Sequence, residues 1–277
     1  MSIDLDKNVK PSIVVNADDF GLNSSVNKAI ADAFKQRLIS STTMITNMPG
    51  FEEACEIGEA NKFQDRIGVH LNLMEGQPLT EAVRGCTRFC NASGSFNGLL
   101  EGTHFKFSPG EKKAVITELT AQIEMLEKRG ITPTHMDSHH HFHTSIAFLP
   151  IIIKLARMKS ISAIRLNCNC SEQDTPMYKK AYKLLYNAIL YLFGMAKTDY
   201  FCAIDDVERV WPSLRKGTVE VMVHPTYSED GTLVDAENRE PLIEQLRPLG
   251  KYSMSSYAAL KRSGRPKFLN IDKRTSL

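Results

Sequence analysis

No stretch of this 277-residue chain approaches the roughly 20 consecutive apolar residues that a bilayer span requires, so a membrane-embedded protein is not expected. Charge of one sign is also missing. Lys+Arg total 34 against 32 for Asp+Glu, and the net charge of +2 gives no electrostatic ground for nucleic acid or an anionic membrane as the main partner. The six cysteines, Cys55, Cys86, Cys90, Cys168, Cys170 and Cys202, form no CxxC pair and match no zinc-finger spacing. The opening "MSIDLDKNVKPS" has no apolar export core, so reduced, mostly structural thiols and a cytoplasmic location are expected. "NCNC" (Cys168, Cys170) is a much weaker metal candidate than the histidines described below. Internal repeats, low-complexity tracts and linker-like boundaries are absent too, which makes 1–277 a single domain in expectation.

What is present is an ordinary globular composition, 42% hydrophobic and 24% charged, enough for a sizeable core. Short apolar runs alternate with helical patterns about seven times. "SIVVN" (12–16), "STTMITNM", "RIGVHLNL" (66–73), "SAIRLN", "DYFCAI" and "VEVMVH" read as strands. Between them, Val26, Ala29, Ile30, Ala33 and Phe34 repeat at helical spacing behind an Asn/Ser cap. "FEEACEIGEANK", "EKKAVITELTAQIEMLEKRG", "IAFLPIIIKLARMK", "MYKKAYKLLYNAILYLFGMA" and "DDVERVWPSLRKG" (205–217) also read as helices. The alternation predicts a parallel sheet, with a distorted (β/α) TIM-like barrel favoured by length and an open parallel sheet as the alternative. A glycine-rich insertion loop over about 75–110 interrupts the pattern. The lysines of "MYKKAYKLLYNAILYLFGMA", Lys179, Lys180 and Lys183, read as a solvated face.

Active sites of parallel α/β folds form at the carboxyl ends of strands. Here "IVVNADDFG" ends in Asp18 and Asp19, "IGVHLNL" carries His70, and "VEVMVHPTY" ends at His224. "HMDSHHHFH" (135–143) packs five of the eight histidines beside Asp137. Two neutral imidazoles and a carboxylate suit a divalent ion and leave positions open for water and substrate. Because Asp18 and Asp19 are adjacent, one can ligate while the other stays free as a base. Pro133 favours an extended reading of the histidine run, in which His135, Asp137, His139, His141 and His143 share one face and His140 points away. A helical reading would instead pair His139 with His143. Arg165 in "AIRLN" is either a solvent-facing charge or an interior partner for a carboxylate.

"NADDFG", "STT", "GVHLNL" followed by "GQPLT", "PTHMDSHHHFH" and "EVMVHP" resemble, in order and approximate spacing, the YdjC-like carbohydrate deacetylase family, in particular its chitooligosaccharide deacetylases. The resemblance runs from about residue 12 to 227; the stretches 85–110 and 168–216 carry no matching motif. It implies a distorted (β/α) barrel, a divalent metal (magnesium first, zinc as the alternative) and removal of acetyl groups from N-acetylated sugars. Carried over residue by residue, it implies Asp19, His70 and His139 as metal ligands, Asp18 as general base and His224 as imidazole acid. It also implies a homodimer. Asp137, His141 and Arg165 are the neighbouring candidates for orienting a ligand or touching substrate.

A metal-dependent phosphoesterase is the first rival, and the few carboxylates at the strand ends argue against its usual two-metal site. A glycosidase needs two opposed carboxylates, of which there is no sign. A non-catalytic sugar- or metal-binding protein has no use for a free carboxylate beside the ligands, so Asp18 favours catalysis.

Overall fold

The computed structural model describes residues 11–99, 106–171, 175–206, 216–250, 252–261 and 269–270. Its centre is a parallel sheet of strands β1 (Ser12–Phe20), β2 (Ser41–Met44), β3 (Ile67–Leu71) and β4 (Met136–Ser138), with β6 (Tyr200–Ala203) and β7 (Thr218–Val223) beyond. Their spatial order is β4-β3-β2-β1-β7-β6, every neighbour parallel. Helices α1 (Ser24–Lys35), α2 (Phe51–Ala60), α3 (Glu81–Arg84), α4 (Pro109–Lys128), α5 (Leu149–Met158) and α6 (Met177–Leu192) lie between the strands in sequence. The two-residue β5 (Cys170–Ser171) lies outside the main sheet.

The sheet curls, and segment 163–169 spans the gap between β4 and β6. Met136 N–H donates to Ala163 O and Arg165 N–H to Met136 O, both at 3.0 Å. On the far side, the Asn169 side chain accepts from Phe201 N–H and donates to Asp199 O, both at 2.9 Å. "SAIRLN" is therefore a single bridge at Ile164 rather than a regular strand. The barrel is distorted at the place where one side chain substitutes for a ladder.

Strand alternation sorts the chemistry from the core. Ile13, Val15 and Ala17 of β1 join the large apolar cluster against the helices, as do Ile67, Val69 and Leu71 of β3 and Val219, Val221 and Val223 of β7. Val14 packs inside with Ala163 and Tyr257, and Asn16 and Asp18 lie on that interior side. Gly68 of β3 is a packing necessity: a Cβ there would stand 2.5 Å from the His135 ring.

Helix starts follow their caps. Asn23 accepts from Val26 N–H at the head of α1, and Ser108 with Glu111 forms a capping box on α4. The expected loop over 75–110 is pinned to α4: Glu118 accepts from Leu79 N–H, Thr80 N–H and the Thr80 hydroxyl, and the loop itself holds α3. Its residues 100–105, and most of the helix expected over 205–217, lie outside the described residues. Among the described residues no helix is long and apolar enough to cross a membrane.

Candidate active site

The carboxyl ends of β1, β2, β3, β4 and β7 meet at one mouth. Asp19 breaks the alternation of β1: its φ of 68° is left-handed, a conformation that aspartate tolerates, and the pairing with β2 slips between Ala17 and Phe20. Asp19 therefore faces the mouth beside Asp18 instead of pointing to the opposite side.

The two carboxylates have different partners. Asp18 is buried, with Arg165 Nη1 2.6 Å from Oδ2 and Nη2 2.7 Å from Oδ1. Asn16 Nδ2 adds a hydrogen bond to Oδ1 at 2.9 Å. Burial opposes the charge, but the Arg165 guanidinium outweighs it and holds the carboxyl well below the usual carboxylate range. Asp19 Oδ1 lies 2.9 Å from His139 Nδ1 and 3.3 Å from His70 Nε2, yet no donor is correctly aimed at this buried oxygen.

His70 shows why. Its Nδ1 faces Asp137 Oδ1 at 2.7 Å and the Thr43 hydroxyl at 3.1 Å, which orients the ring and leaves Nε2 toward Asp19. With the proton on Nδ1, the Nε2 lone pair confronts a carboxylate oxygen, an arrangement that a cation between them relieves. Burial alone would lower the His70 pKa; the carboxylates of Asp137, Asp19 and Asp18 outweigh it and push it up to about 10, so the position between Nε2 and Asp19 attracts positive charge, a proton that a metal ion would displace. The donor atoms of Asp19, His70 and His139 all lie within 4.8 Å of one another. This convergent, under-satisfied His₂Asp set fits a divalent cation.

Arg165 is interior, fully buried, and also meets Asp137 Oδ2 at 2.7 Å and Glu220 Oε1 at 2.8 Å. The solvent-facing alternative is thereby corrected. Burial raises the Glu220 pKa to about 7 against the pull of Arg165 and Tyr257. His224 stands across the mouth, its Nε2 4.0 Å from Asp18 Oδ2 and its Nδ1 3.6 Å from Glu237 Oε1. Asp235, in the strand Leu233–Asp235, fixes that wall: its two oxygens accept from His224 N–H and Glu237 N–H.

The extended reading of 135–143 is corrected. The strand stops at Ser138, and His139–Thr144 form a 3₁₀ turn in which His140 and His141 have φ of 52° and 53°. Ser138 Oγ accepts from His143 N–H at 2.9 Å and folds the chain back on itself, so the five residues do not share a face. His139 reaches Asp19; His135 lies below, stacked on Tyr257; His143 is buried against Ser138. His140 is on the rim near Glu75, and His141 lies inside, edge-on to Phe201. Burial and the Arg165 charge bring the His141 pKa down to about 3, so it is a neutral imidazole.

Sequence reasoning did not single out Thr43, Glu220, Glu237 or Tyr257. Thr43, in "STT", carried a signal, since a strand-end hydroxyl sits opposite the interior of β1; the others sit in unremarkable local contexts.

The family model described as YdjC-like protein matches residues 12–261, and the chain belongs to that family. A carbohydrate deacetylase of Halalkalibacterium halodurans is 33% identical, with 79% of this chain and 86% of that one covered. A carbohydrate deacetylase of Vibrio parahaemolyticus is 32% identical, with 78% and 79% covered. The crystal structure of an Enterococcus faecalis V583 protein assigned to cellobiose-phosphate cleavage matches in fold, with a TM-score of 0.66, 21% identity, and 90% of this chain and 98% of that one covered.

Proposed function

We propose that the protein is a metal-dependent carbohydrate deacetylase that hydrolyses the acetamide of N-acetylated sugars, with chitooligosaccharides such as diacetylchitobiose as substrates. The observation that carries the reading is the division between adjacent carboxylates: Asp18 is held by Arg165, and Asp19 is turned toward His70 and His139. The two relatives named carbohydrate deacetylase support the same chemistry.

Asp19, His70 and His139 would hold the ion, magnesium by family resemblance and zinc as the alternative. The chemistry supplied by a divalent ion at these donors is Lewis acidity toward the acetyl carbonyl and the attacking water. Asp18 stays anionic at any working pH and accepts the proton of that water. His224, across the mouth, gives a proton to the departing amine at its Nε2. Asp137 orients His70 through Nδ1. Arg165 keeps Asp18 aimed and prevents its carboxylate from rotating into the ligand set. His141, neutral and half-buried, lines the interior beside them. Homodimer assembly is part of this proposal by resemblance, and a cytoplasmic location agrees with six free cysteines.

The test is acetate release from a panel of N-acetylated sugars, diacetylchitobiose included, by chelated and metal-restored protein. Metal-dependent acetate supports the reading. Metal-bound protein that releases none from any sugar contradicts it.

A further inference from the structure

Beneath Asp18 the barrel holds a closed circuit of side chains. Arg165 presents its donors in one rigid plane. Nη1 and Nη2 are used on Asp18, and Nη1 also serves Asp137. The Nε–H is held by Glu220 Oε1 at 2.8 Å, so the tilt of the guanidinium depends on Glu220. Glu220 Oε2 accepts in turn from the Tyr257 hydroxyl.

A second route leaves the same tyrosine. Its ring stacks on His135 with centroids 3.8 Å apart and planes 9° off parallel. His135 Nε2 lies 3.1 Å from Asn16 Oδ1, and Asn16 Nδ2 donates to Asp18 Oδ1 at 2.9 Å. The network fixes the tautomer: with Asn16 Nδ2 on Asp18, its oxygen must receive the His135 Nε2 proton. Both routes from Tyr257 therefore end on the Asp18 carboxylate. Tyr257 follows the short strand Ser253–Met254, which pairs with the start of β1 and delivers the ring to the barrel floor between Val14 and Ala163.

Filling that floor needs no polar atoms. A buried carboxylate and phenol are costly unless their hydrogen bonds are used, and an apolar pair would pack there at lower cost. What Glu220 and Tyr257 add is direction. We propose that Glu220 and Tyr257 are positioning residues that set the aim of Arg165 and thereby the orientation of the Asp18 carboxylate. This rests on reading Asp18 as the proton acceptor of the deacetylation.

The experiment compares Glu220→Ala, Glu220→Gln and Tyr257→Phe with wild type in steady-state deacetylation of diacetylchitobiose, metal content and crystal structure. Tyr257→Phe removes the hydroxyl alone and keeps the stack on His135. Misaim of about 1 Å costs up to ~10²-fold in rate. Glu220→Ala is accordingly expected to lose about 10²-fold and Tyr257→Phe about tenfold in kcat, with KM within about twofold and metal content unchanged. Glu220→Gln, which keeps an oxygen for Arg165 Nε, recovers most of kcat; a purely structural role would move melting temperature without this split or rescue.

The crystal structures read the same claim without substrate: in Glu220→Ala and Tyr257→Phe the guanidinium is expected to leave its two-point contact with Asp18. Wild-type protein that releases no acetate defeats the functional reading, and the positioning claim is then decided by the structures. A guanidinium that stays bidentate in both variants, or wild-type kcat in both, overturns the proposal. If Glu220→Ala does not fold, Tyr257→Phe decides it alone.

Discussion

Asp18 and Asp19 are consecutive in the chain, yet a left-handed turn at Asp19, φ 68°, brings both carboxylates to one mouth with separate partners. Arg165 takes both oxygens of Asp18, and two imidazoles converge on one oxygen of Asp19. In a regular strand the two side chains would have pointed to opposite faces. The left-handed turn is what makes a site from two neighbours.

Two adjacent histidines should behave differently. His139 Nδ1 is 2.9 Å from Asp19 Oδ1, whereas His140 is on the rim with Nε2 3.9 Å from Glu75. His139→Ala is expected to lose bound metal and activity together, and His140→Ala to keep its metal. Elemental analysis of the two purified variants checks this.

Removing Arg165 should damage the fold as well as turnover. Its guanidinium is fully buried among Asp18, Asp137 and Glu220. Breaking a buried ion pair from one side costs about 3–5 kcal/mol, because the partners are left uncompensated. Urea unfolding of Arg165→Ala is expected to show a loss of that order.

Glu237 should matter to His224 more than to substrate binding. Its Oε1 lies 3.6 Å from His224 Nδ1 and orients the ring with Nε2 toward Asp18. Glu237→Gln is expected to lower kcat by about tenfold with KM nearly unchanged, the pattern of an interaction used in the transition state. Steady-state kinetics on diacetylchitobiose measure the split.

Acid should destabilise the protein through its buried imidazoles. Burial, assisted by the Arg165 charge, brings His141 from 6.5 down to about 3. His135 and His143 move in the same direction, mainly by burial. In each case the unfolded chain binds the proton more readily than the folded one. Their contribution is complete above pH 6.5 and, for His141, is lost as pH falls toward about 3. Urea midpoints measured across that interval are expected to fall, and less steeply in His141→Gln.

Much of this was legible in the chain, and the reason is geometric. Apolar residues at 13, 15 and 17 mark one face of β1, so Asn16 and Asp18 had to lie on the other, and the same logic places His70 on β3. Strand ends that carry ionisable groups converge in a parallel barrel, so Asp19, His139 and His224 followed. The run from His135 to His143 defeated periodicity because its path is decided by one tertiary contact, Ser138 Oγ to His143 N–H. Arg165 was ambiguous because its segment crosses the gap between two edge strands, a fact of barrel closure that no local pattern carries. Glu220 sits among valines like any charge in a strand, and Tyr257 lies in a stretch without periodicity; both acquire meaning only through each other.

The most direct measurement is a side-by-side comparison of Asp18→Asn and Asp19→Asn for bound metal and acetate release. Asp18→Asn is expected to retain metal while turnover falls about 10²–10⁴-fold, the usual worth of a general base. Asp19→Asn is expected to lose metal and turnover together. Full activity in Asp18→Asn, or undiminished metal in Asp19→Asn, would contradict the division of roles between the two aspartates.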